Sequence, residues 1–185
     1  MRSLILASQS PRRAQLLEYL EIPFSICPAD VDESIDESKP VKEEIKRLSF
    51  RKAEAVFNQH PESIVIGSDT VVVIDNKILG KPTDRNDAFN MLKMLSNRSH
   101  EVITGVCLIS KEKTDIFASV STVYFHELTD EEIWHYIDVD SPLDKAGAYA
   151  IQGKASLFID RIDGDYYSIM GLPISLINQH LKSFR

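Results

Sequence analysis

Apolar residues along this chain occur in two patterns, as short uninterrupted runs and as stripes at helical spacing. The run Leu4–Leu6 is typical of a buried strand, and polar residues and the helix-start dipeptide Ser10-Pro11 follow it at once. Between residues 41 and 59 apolar residues recur on one face at helical spacing, which predicts an amphipathic helix. The chain therefore combines strand and helix patterns within its first third.

The remaining chain alternates between strand and helix patterns. It predicts strands at 24–27, 63–67, 70–74, 77–79, 100–110, 114–125, 157–162 and 166–170. It predicts helices at 11–20, 84–95, 129–138 and from Gly171-Leu172-Pro173 onward. Turn signals at Asp75-Asn76 and Asp163-Gly164 join neighbouring strands as antiparallel hairpins. We therefore expect an α/β fold, a mixed twisted sheet with flanking helices.

Length and composition limit the class of protein. With 185 residues, of which 43% are hydrophobic, the chain is long enough to bury a full core, and we expect one domain over 1–185. The net charge of −7 argues against general affinity for nucleic acid or anionic membrane, although a metal-bound nucleotide needs only a local basic patch. Cys27 and Cys107 are too few and too scattered for a disulfide framework or a zinc site. Without a signal-like or membrane-spanning apolar run, we expect a cytoplasmic protein.

The first predicted helix begins with a pair of cations. Ser10 can cap this helix and Pro11 fits its first position, which places Arg12 and Arg13 in the first turn. The helix dipole is positive there, so each cation costs roughly 0.3–1 kcal/mol. A bound phosphate would reverse this effect, because free backbone N–H groups and guanidinium forks both bind it. Two interpretations stay open: a phosphate site, or arginines that point into water or pair with carboxylates.

Two further features place charge where the pattern does not call for it. Lys52 falls in the middle of the apolar stripe of the 41–59 helix, where it either extends to water or reaches into a phosphate site. The stretch 28–40 is acidic and predicted to be a loop, which is either a solvated connection or a source of oxygen ligands for a divalent cation.

Phe50 and Phe57 lie off the apolar stripe, so a second subunit is a candidate to cover them.

Asp69 interrupts an otherwise apolar strand region. A carboxylate there is costly to bury unless a cation, hydrogen-bond donors or open water offsets the cost. Ligands of α/β sheets bind at the carboxyl ends of strands, and both Asp69 and the segment 8–13 follow predicted strands. Asp69, with a carboxylate of the acidic loop, is thus a candidate to hold a metal or to orient an attacking water. The candidate groups to neutralise phosphate charge are Lys52, Lys81 and Lys145.

Several motifs occur in the order found in one known family. They are Ser8-Gln9-Ser10-Pro11-Arg12-Arg13, Gly67-Ser68-Asp69-Thr70, Gly80-Lys81-Pro82, Asp144-Lys145-Ala146-Gly147-Ala148-Tyr149 with Gln152-Gly153, and Gly171-Leu172-Pro173. Together they resemble the Maf family over nearly the whole chain. The resemblance implies an elongated α/β fold similar to inosine triphosphate pyrophosphatases, often as a homodimer. It also implies a divalent-metal enzyme, with Mg or Mn, that cuts nucleoside triphosphates into monophosphate and pyrophosphate.

The resemblance further implies roles for individual residues. Asp69 is expected to be the proton acceptor, with Lys52 and Lys81 as further catalytic residues and with Glu33 and Asp69 as metal ligands. Substrate is expected to bind Ser8, Arg12, Arg13, Thr70, Lys145 and Gln152. Of these, Arg12, Thr70 and Gln152 match the dTTP/UTP branch, whereas a sister branch acting on methylated GTP carries Trp, Gln and Glu. The Gln152 amide offers a donor and an acceptor to the imide edge of uracil or thymine.

Two residues depart from the family's pattern. Asn97 and Ala150 stand where glycine is common; asparagine tolerates the left-handed conformation, and Ala150 lies near the base-reading Gln152. Our leading hypothesis is hydrolysis of dTTP and UTP by metal-assisted attack of water at the α-phosphate. A rival from another class is a non-enzymatic regulator of cell division, since the family was first associated with inhibition of septum formation. A kinase or transferase is disfavoured, because the chain lacks a motif for a second substrate.

Overall fold

The computed structural model of the protein describes residues 2–184. The strands are β1 Leu4–Leu6, β2 Phe24–Ile26, β3 Ile64–Ile74, β4 Lys77–Leu79, β5 Ser99–Ile109, β6 Thr114–Phe125 and β7 Ile159–Asp163. The α-helices are α1 Pro11–Glu18, α2 Val41–Phe57, α3 Arg85–Leu95, α4 Asp130–Asp140, α5 Tyr166–Met170 and α6 Ile174–Leu181. Short 3-10 segments occupy parts of 142–158.

The strands form a seven-stranded mixed sheet. They are ordered β2-β1-β3-β5-β6-β7, and β4 pairs with β3. β1 lies parallel to β2 and to β3, with Leu4 opposite both Phe24 and Ile64. β4 is antiparallel to β3, and β7 is antiparallel to β6. The predicted mixed sheet with flanking helices is confirmed.

Local sequence signals set several element ends. Ser10 is the N-cap of α1 and accepts a hydrogen bond from the N–H of Arg13 (3.4 Å), while Pro11 takes the first helical position. α4 begins at the predicted capping box. Asp75 and Asn76 both have positive φ, 51° and 61°, as a tight hairpin turn requires. These ends follow the sequence because each depends on a few neighbouring residues.

The prediction of a strand at 166–170 is wrong, because this segment is α5. Asp165 caps it: its carboxylate accepts the N–H of Tyr167 (2.9 Å), and its carbonyl accepts the hydroxyl of Ser168 (2.8 Å) and the N–H of Ile169 (3.3 Å). β7 therefore pairs with β6 and does not form a hairpin with the next segment. The two strands predicted at 63–67 and 70–74 form one strand, β3.

The chain divides into two compact units. Of the described residues, the first unit contains 2–70, 104–119 and 171–184. Part of its core is a buried cluster of residues from and around β1, α2, β3 and β5, namely Ile5, Ala7, Ala53, Val56, Val65, Cys107 and Ile109. Phe50 and Phe57 pack against this cluster, so their partial burial comes from this chain itself.

The second unit contains 71–103 and 120–170. Its core is a cluster of aliphatic and aromatic side chains in which Leu92 and Leu95 of α3 are fully buried, as the helical spacing predicts. Phe89 of the same helix stacks on Trp134 of α4 with ring centroids 4.6 Å apart. The expectation of a single domain stays a prediction.

Two further observations concern membrane and thiol chemistry. None of the helices in residues 2–184 combines the length and the apolar character needed to cross a membrane. Both cysteines are free thiols. Burial raises the pKa of the Cys107 thiol to about 12, so this thiol is an inert core residue at neutral pH.

Candidate active site

The turn after β1 is built by short side-chain hydrogen bonds. The hydroxyl of Ser8, a buried residue, accepts the N–H of Ser10 (3.2 Å), and Ser10 in turn caps α1. Arg12 and Arg13 therefore lie in the first turn of this helix, as predicted, and both are half-buried. This geometry places two arginine residues in the first turn, at the positive end of the helix.

Neutral oxygen atoms hold the Arg13 guanidinium in place. Its Nε donates to the carbonyl of Gly171 (2.9 Å), its Nη1 to Ser8 Oγ (3.2 Å) and its Nη2 to Thr70 Oγ1 (3.1 Å). Burial lowers the pKa of Arg13 from its ordinary value; Asp69 and Glu33 oppose this shift, whereas Arg12 adds to it. The three acceptors fix the side chain without neutralising its charge. The alternative in which Arg13 points into water is therefore wrong.

Two residues that the sequence hypotheses did not assign to substrate complete this network. Thr104 of β5 is fully buried, and its hydroxyl lies 2.9 Å from the hydroxyl of Thr70. Ser68 is also fully buried and donates to the carbonyl of Gly171 (3.1 Å), the same atom that accepts from Arg13. The sequence hypotheses did not include Thr104. A polar residue within the apolar run 102–109 is the signal that could have identified it, as it did for Asp69.

Two carboxylates converge on the ammonium of Lys52. Its Nζ lies 2.6 Å from Asp69 Oδ1 and 2.8 Å from Glu33 Oε1. The exposed fraction of the side chain is 8% for Lys52, 17% for Asp69 and 60% for Glu33, so the group opens to solvent on the Glu33 side. Lys52 thus reaches a charged site, and the alternative in which it extends to water is wrong. The acidic loop supplies one member of this site.

A glycine brings α2 close enough to β3 for this contact. A Cβ atom at Gly67 would lie 2.3 Å from the carbonyl oxygen of Ser49 and 2.6 Å from the backbone nitrogen of Ala53. Real Cβ atoms do not approach so closely, so β3 and α2 can pack at this distance only through glycine. Lys52 lies between Ser49 and Ala53 in α2, and Asp69 follows Gly67 by two residues in β3, so both belong to the segments that this close approach brings together.

Three predicted site residues, Lys81, Lys145 and Gln152, belong to the second unit. The N–H of Gly147 donates to the carbonyl of Gly80 (3.0 Å), which joins the loops that carry Lys81 and Lys145. Lys145 Nζ lies 2.8 Å from Asp144 Oδ1. The assignment of these three residues to one site with Asp69 stays a prediction.

A buried histidine supports the loop that carries Lys145. The Nε2 of His100 lies 2.6 Å from the hydroxyl of Tyr149, at the end of the 144–149 motif. Burial lowers the pKa of His100 to about 4, so the ring is neutral at physiological pH. The sequence hypotheses missed His100, which lies among the aromatic rings of Phe125 and Tyr149.

Within residues 2–184, no three His, Cys, Asp or Glu side chains form a group placed to hold a metal ion. The pair formed by Glu33 and Asp69 fits a different type of site. Magnesium is commonly bound by one or two carboxylates together with substrate phosphates, which complete its coordination. Two carboxylates that already share one cation, Lys52, match that donor set.

Comparisons with known proteins assign the family. A family model described as Maf-like protein matches residues 3–184. A dTTP/UTP pyrophosphatase of Bacillus cytotoxicus is 50% identical over 184 residues, which cover 100% of this chain and 96% of the relative. A protein of the same name from Geobacillus sp. is 48% identical over 182 residues, which cover 98% of each chain. A solved Mycobacterium abscessus structure, named as a nucleoside-triphosphatase and dITP/XTP pyrophosphatase, shares 12% identity at a TM-score of 0.43, covering 68% of this chain and 75% of its own.

The fold and the site define a mixed α/β protein with clustered charges beside β1 and β3. The chain belongs to the Maf-like family, since the family model and the two bacterial relatives each span nearly its full length. The solved structure adds nothing to this assignment at its TM-score.

Proposed function

We propose that this protein hydrolyses dTTP and UTP to the nucleoside monophosphate and pyrophosphate. The name shared by the two bacterial relatives, at 48–50% identity over nearly the whole chain, supports this substrate class. The observation that carries the chemistry is the Asp69–Lys52 pair, with nitrogen and oxygen 2.6 Å apart, together with the Arg13 guanidinium, which is hydrogen-bonded to neutral oxygens and interacts electrostatically with Asp69. A carboxylate and cations in one place are what phosphoanhydride hydrolysis requires.

Asp69 acts in this proposal as the proton acceptor for the attacking water. Its side chain is 17% exposed, so a water molecule can reach it, and Lys52 fixes the direction of one carboxylate oxygen. Water attacks the α-phosphate, the bond to the bridging oxygen breaks, and pyrophosphate leaves with the electron pair. Arg13, Lys52 and Lys81 stabilise the negative charge that develops on the leaving group.

A divalent metal, Mg or Mn, belongs to this proposal. Glu33 and Asp69 are the residues that would hold it, because their carboxylates converge within the reach of one cation. When bound, such a metal neutralises charge on phosphate oxygens and acts as a Lewis acid. The remaining steps use the side chains of the protein itself.

Substrate binding is assigned to Ser8, Arg12, Arg13, Thr70, Lys145 and Gln152. Arg12 and Arg13 supply guanidinium forks at a helix start, where backbone N–H groups also favour phosphate. Choice of the base is assigned to Arg12, Thr70 and Gln152, of which Gln152 can pair with the imide edge of a pyrimidine. Thr70 contributes by holding Arg13, to which its hydroxyl is bonded.

We also propose a cytoplasmic location and a homodimer. Two free cysteines fit a reducing compartment. The apolar side chain of Ile26 (53% exposed) lies on the edge strand β2, and that of Tyr19 (61%) lies at the end of α1; such exposed apolar side chains offer a surface for a second copy. The regulator of cell division is the less favoured function. Phe50 and Phe57, the aromatic side chains that would contact its protein partner, pack partly against the core of this chain.

The test is release of pyrophosphate and monophosphate, measured separately from a panel of nucleoside triphosphates with Mg or Mn. We expect dTTP and UTP to be the preferred substrates, and Asp69→Asn to abolish turnover while a non-hydrolysable dTTP analogue still binds. Asp75→Asn, an exposed aspartate in the following turn, is the matched control and should keep full activity. Unchanged turnover in Asp69→Asn, or a preference for 7-methyl-GTP, contradicts the proposal.

A further inference from the structure

The acidic loop (28–40) lies along α2 and runs in the opposite chain direction. Besides the ion pair between Glu33 and Lys52, three contacts connect them: the N–H of Asp36 donates to Glu44 Oε2 (3.0 Å), Arg47 Nη2 donates to the carbonyl of Ser34 (3.3 Å), and Arg51 Nη2 lies 3.8 Å from Asp32 Oδ2. Residues 36, 34 and 32 of the loop thus contact residues 44, 47 and 51 of the helix in that order, so the two segments are antiparallel. We call these three contacts the loop–helix seam.

The seam determines which loop residue faces Lys52. Glu33 lies between the two seam residues Asp32 and Ser34, and its Oε1 lies 2.8 Å from Lys52 Nζ. Lys52 directly follows the seam residue Arg51 in α2. A shift of the loop by one residue would therefore bring a different side chain to the ammonium and remove Glu33 from Asp69.

Glu44 is the buried anchor of this seam. It is 2% exposed, and a carboxylate in such a place is costly unless it is paired and hydrogen-bonded. Arg47 donates to it from Nε (3.1 and 3.2 Å) and from Nη2 (2.6 Å), and the N–H of Asp36 adds a fourth contact. These bonds, chiefly those from Arg47, hold the pKa of Glu44 below its usual value. An apolar residue would pack in the helix at lower cost, so the carboxylate serves the loop.

We infer that Glu44 is a positioning residue that fixes the register of the acidic loop and thereby places Glu33 beside Lys52 and Asp69. This inference rests on the proposed function, in which Glu33 and Asp69 bind the metal and the substrate phosphates together. Glu44 acts through the Asp36 amide and through Arg47. Supporting side chains of this kind contribute about 10- to 100-fold to affinity or activity.

The experiment compares Glu44→Gln with Glu43→Gln in the full chain. Glu43 is the preceding residue of α2 and pairs with Lys46 three positions on (3.1 Å), as Glu44 pairs with Arg47. Both variants lose one negative charge, but the Glu43 side chain is 59% exposed and the Glu44 side chain only 2%. Hydrogen exchange is followed by mass spectrometry on peptides that cover 32–38. Steady-state hydrolysis of dTTP is measured at saturating Mg.

We expect Glu44→Gln to accelerate exchange within 32–38 and to raise KM for dTTP about tenfold, with kcat changed less than about threefold. Exchange within β3 and the second half of α2 should stay native, because the core there is untouched. Glu43→Gln should match the native protein in both measurements. Native exchange in the loop, a native KM, or an equal effect of Glu43→Gln overturns the inference.

A second variant covers the case in which Glu44→Gln does not fold. Arg47→Lys keeps a cation beside Glu44 but loses the forked contact to the Glu44 carboxylate and the hydrogen bond to the carbonyl of Ser34. The same changes in exchange and KM are expected at smaller size, and their absence overturns the inference. If the native chain releases no pyrophosphate from dTTP or UTP, the proposed function fails; native exchange in Glu44→Gln overturns the inference in either case.

Discussion

The ammonium of Lys52 lies 2.6 Å from Oδ1 of Asp69, and both side chains are largely buried. Seventeen positions separate them in the sequence, and they meet because Gly67 lets β3 approach α2. The pair joins a helix residue in the middle of an apolar stripe to a strand residue in an apolar run. Each charge is unfavourable in its own element, and each is compensated by the other.

Removal of Lys52 tests this mutual compensation. Lys52→Met should abolish activity and lower the free energy of unfolding by about 2 kcal/mol, because Asp69 and Glu33 then face each other without a cation. Denaturant unfolding and pyrophosphate release measure the two effects. Lys46→Met, on the same helix with an exposed partner, is the control and should change stability by less than about 0.5 kcal/mol. Native activity in Lys52→Met would contradict the proposed site.

The close approach at Gly67 makes a second prediction. Gly67→Ala places a Cβ atom 2.3 Å from the carbonyl oxygen of Ser49, so α2 must move away from β3. We expect a loss of about 1–3 kcal/mol in stability and a large drop in kcat/KM, since Lys52 moves with the helix. Gly80→Ala, with nothing within 4 Å of the added Cβ, is the matched control and should be near native in thermal unfolding.

The hydroxyl of Thr104 is expected to contribute both to stability and to activity. Thr104→Val keeps the shape of the side chain but removes the partner of Thr70, at a cost of about 0.5–1.5 kcal/mol in stability. Because Thr70 also holds Arg13, kcat/KM for dTTP should fall several-fold. Thr104→Ser retains the hydroxyl and should restore most of the activity in the same assay. Equal activity of the valine and serine variants would show that the hydroxyl has no such role.

His100 predicts a pH dependence of stability. Its pKa is lowered from 6.5 to about 4 by burial. Above pH 6.5 the ring is neutral in both folded and unfolded chains, so this group has no effect. As the pH falls from 6.5 towards 4 the unfolded chain takes up a proton that folded His100 does not, and stability decreases by up to about 3 kcal/mol.

Urea unfolding of native protein and His100→Gln between pH 4 and 7 measures this contribution. Glutamine can donate a hydrogen bond to Tyr149 but does not titrate, so the variant should lose less stability on acidification. The exposed His126→Gln serves as control and should follow the native curve. Parallel curves for native protein and His100→Gln would contradict the burial argument.

Features that depend on neighbouring residues could be predicted from the sequence. The cap formed by Ser10 and Pro11 and the capping box before α4 were both predicted correctly. Asn97 adopts the left-handed conformation (φ 57°), which asparagine was expected to tolerate at this position. The family itself followed from the order of its motifs. The strand prediction for 166–170 was wrong because five residues of mixed pattern fit either a strand or a helix. The cap formed by Asp165 favours the helix that the structure shows.

The sequence by itself determined the periods of its helices and strands, the caps at their ends and the residue types that carry charge. It left open what Lys52, Arg13 and the acidic loop bind. A charged residue in an apolar segment can be exposed to water, paired with an opposite charge or bound to a ligand, and the sequence pattern is the same in each case. Tertiary packing decided among them: Lys52 meets two carboxylates, Arg13 meets three neutral oxygens, and Glu44 holds the loop. Most of these partners lie far apart along the chain, so only the distances between their side chains in the folded structure show which interaction forms.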